Sequence, residues 1–169
     1  MNTMQEQQRV IITTGGSGYL GTAVTSRLKE AGYKIEDIGV DITDETAITE
    51  RTNQIKKSYT HIWGVVHLAS APLDRKSLLD LSLSEFKKQV DIQTVGTFLL
   101  ARALCPLIES GGCFIATTSI AIDRKGNFNK SGSYVPAKEA LRGFLRMLHF
   151  ESLDKNMRVY AVAPAFMPG

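Results

Sequence analysis

The sequence predicts an α/β fold, a doubly wound parallel sheet in a single domain, and three observations carry that prediction. Short β-branched or apolar runs alternate with helix-spaced apolar patterns along the chain. The runs are continuously apolar, as strands covered on both faces are, and right-handed crossovers between parallel strands then place helices on both sides. A cluster of glycines stands where the first run turns into the first helical pattern, at a strand's carboxyl end, the place where such sheets bind ligands.

Residues 9–14, RVIITT, form the first strand, and Leu20, Val24, Leu28 and Ala31 mark one face of the first helix. A second, less regular strand lies within 33–40, YKIEDIGV, a helix within 44–59, and a third strand over 62–68, IWGVVHL. Phe86, Val90, Phe98, Leu99, Ala103 and Leu107 predict one long helix over 84–109, with Ser84 as N-cap and Gly111 and Gly112 just past its end. Residues 113–118, CFIATT, read as a buried strand, 123–132 as a polar loop, 133–153 as a helix and 157–163, MRVYAVA, as the last strand.

With 169 residues, 43% hydrophobic and 22% charged, the chain suits one compact domain and not a disordered segment. Its 20 basic and 17 acidic residues are scattered, so no nucleic-acid partner is expected. The polar residues 1–8 lack the form of a signal peptide. No apolar stretch is expected to reach the roughly 18 residues that cross a bilayer, and no membrane partner is expected. Cys105 and Cys113 lie in apolar stretches without metal spacing and read as buried reduced thiols, which fits a cytoplasmic location. His61, His67 and His149 show no ligand spacing, so no metal is expected, and His67 reads as a turn residue beside the ligand.

Two patterns carry chemistry. Gly15, Gly18 and Gly21, in TGGSGYLG, have the spacing that lets backbone N–H groups approach a pyrophosphate at a helix N-terminus; a glycine-rich turn without a ligand is the plainer alternative. Tyr134 and Lys138, in SYVPAK, stand one helical turn apart, and Pro136 places Tyr134 at the helix start. The helix dipole and the ammonium one turn away both favour a phenolate there, so Tyr134 suits proton exchange.

In these motifs, and in their order, the chain resembles the short-chain dehydrogenase/reductase family over nearly its whole length. TGGSGYLG resembles the cofactor loop, HLAS at 67–70 the N-N-A-G turn, ATTSIA at 116–121 the strand of the catalytic serine, SYVPAK the Tyr/Lys helix, and RVYAVAPAFMPG at 158–169 the turn that approaches the nicotinamide. The resemblance implies a Rossmann fold over 9–169 after a polar tail over 1–8, and hydride transfer between NAD or NADP and a carbonyl or secondary alcohol. It implies Ser119 as carbonyl hydrogen-bond donor, Tyr134 as proton exchanger and Lys138 as ribose ligand, with Thr118 the second choice for the serine role. Gly15, Ser17, Gly18, Tyr19, Leu20, Gly21, Asp41, Ala69, Ser70 and Pro164, besides Tyr134 and Lys138, would bind the cofactor.

The chain also departs from the family. DIQTVGTF places Gln93 where the family has a catalytic asparagine, so Gln93 either keeps or displaces a proton-relay water. Gly32 and Asp41 stand only nine positions apart, so the usual strand, helix and strand are compressed into one strand, with Asp37 a possible ribose ligand. The glycine loop carries no basic residue, which prefers NAD. TGGSGYLG and HLAS have features of the extended branch, whereas YVPAK resembles the classical one. Besides a reductase, a catalytically silent dinucleotide-binding scaffold and a nucleotide-sugar epimerase or dehydratase are therefore kept as alternatives. The chain stops where the family usually continues, which reads as a fragment.

Leu99, Leu100, Leu104, Leu141, Phe144, Leu145, Leu148 and Phe150 exceed what one sheet face needs, and a homo-oligomer is expected from that surplus. Arg75, Lys76, Arg124, Lys125 and Lys130 give the loops a basic balance that would favour an anionic small-molecule substrate; solvated loop charges are the commoner explanation.

Overall fold

A computed structural model of the chain describes residues 8–73, 75–123 and 130–165. The tail 1–7, Arg124 and Lys125 of the polar loop, and the proline-glycine turn at 168–169 lie outside the described residues. Of the tail only Gln8 is described, its side chain donating to the Gly32 carbonyl at 2.8 Å.

Among the described residues, five parallel strands form one sheet: β1 (Val10–Thr14), β2 (Lys34–Asp37), β3 (Ile62–His67), β4 (Ile108–Thr117) and β5 (Arg158–Val162). Their order is β2-β1-β3-β4-β5, with Thr14 in register with His67 and His67 with Ala116. The chain leaves β1 toward one side and crosses to β3 on the other, so the switch point opens between the carboxyl ends of β1 and β3. A single strand, β2, separates the first two helices, as the short spacing predicts.

Five α-helices cover the sheet among the described residues: α1 (Tyr19–Glu30), α2 (Glu45–Ser58), α3 (Leu83–Val90), α4 (Gly96–Leu104) and α5 (Tyr134–Glu151). Ile12, Val65, Phe114 and Ala116 from the strands meet Ile48 and Ile55 of α2, Leu100 and Leu104 of α4, and Leu141 of α5 in one core. Apolar strands buried on both faces thus form the centre, as their composition requires.

The expected long helix is in fact broken. Its N-cap is Ser82 rather than Ser84: the Ser82 hydroxyl accepts from the Glu85 N–H at 3.2 Å and the Glu85 carboxylate accepts from the Ser82 N–H at 2.9 Å. A π turn, Asp91–Val95, separates α3 from α4. Cys105–Leu107 closes the run as a 3₁₀ turn around Pro106, and the chain is already extended at Ile108. Gly111 and Gly112 therefore lie inside β4, where the register slips between the Ile62 and Gly64 pairs and Gly111 takes φ +83°.

By length and composition the run Leu83–Leu107 is apolar enough to cross a membrane, contrary to the sequence expectation. It is a core helix here: Gln89, Gln93, Thr97, Leu100 and Leu104 are all buried within the protein. The apolar surplus is also smaller than the pattern implied. Leu99, Leu100, Leu104, Leu141 and Leu145 are buried and Phe144 and Leu148 pack against the core, which leaves Phe150 of that set exposed.

Candidate active site

The site is assembled at the switch point. β1 ends at Thr14, and Gly15 turns the chain with φ +68°, a conformation glycine reaches without strain. A Cβ on Gly15 would stand 2.6 Å from the Ala69 nitrogen, and one on Gly21 would collide with the Gly15 carbonyl oxygen. These two glycines are thus required by the backbone packing itself. Gly18 differs: a Cβ there meets only the Gly15 oxygen, at 3.3 Å. Gly18 is the N-cap of α1, which has no side-chain cap and no acidic residue in its first turn. That end opens on a cavity of about 470 Å³ lined by Gly15, Ser17, Gly18, Tyr19, Leu20 and Gly21. Uncapped N–H groups and a positive dipole end facing a cavity suit a pyrophosphate.

The opposite wall brings the catalytic candidates to the same cavity. Ser119, Tyr134, Lys138 and Pro164 line it, as do Ala69 and Ser70. Lys138 is buried, and its ammonium donates to the Thr117 carbonyl at 2.6 Å and lies 5.7 Å from the centre of the Tyr134 ring. Burial draws Lys138 down from 10.5 to about 8. Ser119 accepts the Ala121 N–H on its Oγ at 3.2 Å, leaving its hydroxyl hydrogen uncommitted among the described residues. Thr118 lines the cavity too, but its N–H and hydroxyl both donate to the Val162 carbonyl, at 2.7 and 3.2 Å. The hydroxyl available for a substrate oxygen is therefore that of Ser119.

Gln93 is not in that wall. It is fully buried, and its amide donates to the Ser70 hydroxyl at 2.6 Å, while the Lys138 ammonium bonds the β4 backbone instead. The Gln93 amide is thus engaged with the loop after β3.

A second cavity, about 250 Å³, adjoins the first through Gly15, Ala69 and Ser70 and runs to Asp37, Gly39 and Asp41. Asp41 turns its Oδ1 inward to its own loop, accepting the Thr43 N–H and hydroxyl at 2.9 and 2.8 Å, and these bonds hold its carboxyl below the usual range. Asp37 is the acid at the end of β2: it accepts the Gly39 N–H at 2.8 Å and the Thr13 hydroxyl at 3.2 Å.

His67 proves to be the last residue of β3 rather than a turn residue. Its Nδ1 pairs with the Thr14 hydroxyl at 2.6 Å, and the same Thr14 oxygen accepts the Ala69 N–H at 3.3 Å. One threonine thus ties the end of β1 to the loop after β3. The Thr14–His67 link was missed in the sequence, although the two residues end consecutive parallel strands of the sheet. Lys76 of the basic loop set is ion-paired with Glu85, which removes part of the positive balance expected there.

A family model described as enoyl-(acyl carrier protein) reductase matches residues 2–168. The chain is 30% identical over 181 residues to carbonyl reductase family member 4 of Xenopus laevis, covering 94% of this chain and 75% of that protein. The chain belongs to the short-chain dehydrogenase/reductase family. It is also 28% identical over 159 residues to the trihydroxynaphthalene reductase PfmaI of Pestalotiopsis fici, covering 92% of this chain and 55% of that one. It spans little more than half the length of several curated relatives it matches. In fold it is similar to a short-chain dehydrogenase of Leptospira borgpetersenii solved with bound NAD+, at a TM-score of 0.88 and 19% identity, over 96% of this chain and 73% of that one.

Proposed function

We propose that this chain is the dinucleotide-binding part of an oxidoreductase that moves a hydride between NAD and a small-molecule carbonyl or secondary alcohol. The observation that carries the reading is the shared cavity: the α1 N-terminus on one side, Ser119, Tyr134 and Lys138 on the other. The nicotinamide supplies or accepts the hydride when the cofactor is bound. The α1 N–H groups and Gly18 take the pyrophosphate, and Lys138 holds the ribose. Ser119 donates to the substrate oxygen and Tyr134 exchanges the proton with it.

NAD is preferred over NADP on electrostatic grounds. Among the described residues no basic side chain lines the second cavity, whereas Asp37 and Asp41 do, and a 2′-phosphate there would meet like charge. The base next to this strand, Arg51, is committed to Glu36 at 2.6 Å. A cytoplasmic location and a homo-oligomer belong to the same proposal; the free thiols of Cys105, buried, and Cys113, half-buried rather than buried as expected, both pushed up by burial, support the first.

Tyr134→Phe tests the proton role. Turnover of NADH with a carbonyl substrate should fall by about 10²–10⁴-fold while NAD affinity stays within about twofold. Activity that survives the substitution removes Tyr134 from the mechanism. A second reading, a silent dinucleotide-binding scaffold, is favoured by one observation, the Gln93 amide bound to Ser70 rather than near Lys138. Tight NAD binding without hydride transfer to any member of a carbonyl panel would select it.

A further inference from the structure

We infer that Gln89 is a positioning residue for the dinucleotide, acting with Gln93 as an amide clamp on the segment 70–72; this rests on the dinucleotide reading above. Gln89 donates through Nε2 to the Pro72 carbonyl, and Gln93 through Nε2 to the Ser70 hydroxyl, each at 2.6 Å. Ser70 passes its own proton to the Ala71 carbonyl at 3.3 Å. Both glutamines are buried, at 1% and 0% exposure, so water does not compete for these contacts.

The segment depends on them. It has no regular structure, Pro72 has no N–H to donate, and the tertiary hydrogen bonds to 70–72 among the described residues all come from the two glutamines. The dependence runs both ways: Gln89 Oε1 and Gln93 Oε1 are buried without a partner among the described residues, so the polar contacts that fix each side chain are those to the segment. The two positions are four apart, on one face of the helical run, and the π turn that starts at Asp91 carries Gln93 inward. Such turns occur often at functional sites.

The segment matters because Ser70 lines both cavities and its neighbour Ala69 lies against the phosphate loop without slack, the Gly15 Cβ position being 2.6 Å from the Ala69 nitrogen. Displacement of the segment is therefore passed to Gly15. Gln89 lines neither cavity; it acts through the backbone it holds.

Three substitutions test the clamp in the full chain: Gln89→Leu, Gln89→Glu, and Thr94→Val as a control for a change in the same helical run that removes no hydrogen bond, since the Thr94 hydroxyl is buried without a partner among the described residues. Hydrogen exchange without cofactor should show peptides over 68–73, whose bonded amides are Leu68 and Ala69 on Thr14, exchanging about tenfold faster in Gln89→Leu than in wild type or Thr94→Val, with those over β3 unchanged. The dissociation constant for NAD, measured by calorimetry, should rise about tenfold in Gln89→Leu. With substrate, the KM for NAD should rise while kcat stays within about twofold, a split that a general loss of folded protein does not produce. Gln89→Glu should bind NAD better as pH falls, because only the protonated carboxyl donates to Pro72, whereas wild type shows no such trend. Unchanged exchange over 68–73 in Gln89→Leu overturns the clamp, as does equal acceleration in Thr94→Val. Wild type that binds neither NAD nor NADP overturns the dinucleotide reading, and the exchange result still decides the clamp.

Discussion

At the scale of single residues, the two buried titratable side chains behind the site respond to pH in the same sense but in different windows. His67 is drawn from 6.5 to about 3, first by burial and then by the positive Lys138, so it stays neutral in the fold. Below pH 6.5 the unfolded chain binds a proton that the folded one refuses, and stability falls as pH drops toward 3, with a slope approaching about 1.4 kcal/mol per unit. His67→Asn should flatten that acid limb, read from urea midpoints at pH 7 and pH 5; an unchanged slope would show that His67 binds its proton alike in the folded and unfolded chain. Lys138 has the same sign in a higher window. With the folded group near 8 and the free one at 10.5, its burial penalty is fully present below 8 and relieved as pH rises toward 10.5. Lys138→Met should therefore stabilise the fold at pH 7, by up to about 3 kcal/mol less the lost bond to Thr117, and by less at pH 10. Urea melts at both pH values check the sign, and a destabilised variant at pH 7 would mean the bond outweighs the desolvation.

At the scale of elements, the glycine loop separates packing from binding. Gly21→Ala forces its methyl into the Gly15 carbonyl and should cost several kcal/mol, seen as a Tm fall of more than about 10 °C. Gly18→Ala meets one tight contact, 3.3 Å to the Gly15 oxygen, which must give by a few tenths of an ångström, and it keeps an ordinary φ of −72°, so its Tm should fall by only a few degrees while NAD affinity falls. Equal losses of Tm would reject the distinction. Strand and helix alternation was legible because four apolar runs leave little ambiguity and β2, of mixed charge, follows from the alternation, and Tyr134 and Lys138 were legible because one helical turn fixes their relation. The entry of α3 was legible too, though misread: Ser82 and Glu85 form the S-x-x-E signature, whereas Ser84 is merely the serine nearer the apolar pattern. The π turn was hidden, since one inserted residue barely alters a 3.6 periodicity and the partner of Gln93, Ser70, lies 23 positions away. Leucines on several sides of α4 looked like a surplus because the contact of α2 with α4, which covers a second side, is a tertiary fact.

For the whole molecule, the apolar side chains left in water decide what self-association remains to be expected. Val95, Phe98, Met147 and Phe150 are 40–58% exposed, on the two helical elements from which pairing was anticipated. Light scattering at micromolar concentration should give a mass above that of one chain, and Phe98→Glu with Phe150→Glu should return it to one. A wild-type monomer would sink the oligomer.

The two margins of the sheet are unlike, and the difference reaches the reaction centre. On one flank, β2 is four residues of mixed charge, Lys34, Glu36 and Asp37 among them, and repels a newcomer. On the other, β5 exposes Tyr160 and Val162 along an unguarded border. Any strand that widens the sheet therefore arrives beside β5. There it meets Val162, whose carbonyl already grips Thr118, the residue directly before Ser119. A neighbour leaning on that border presses on the serine through one residue, so the β5 flank is mechanically next door to the Ser119 hydroxyl.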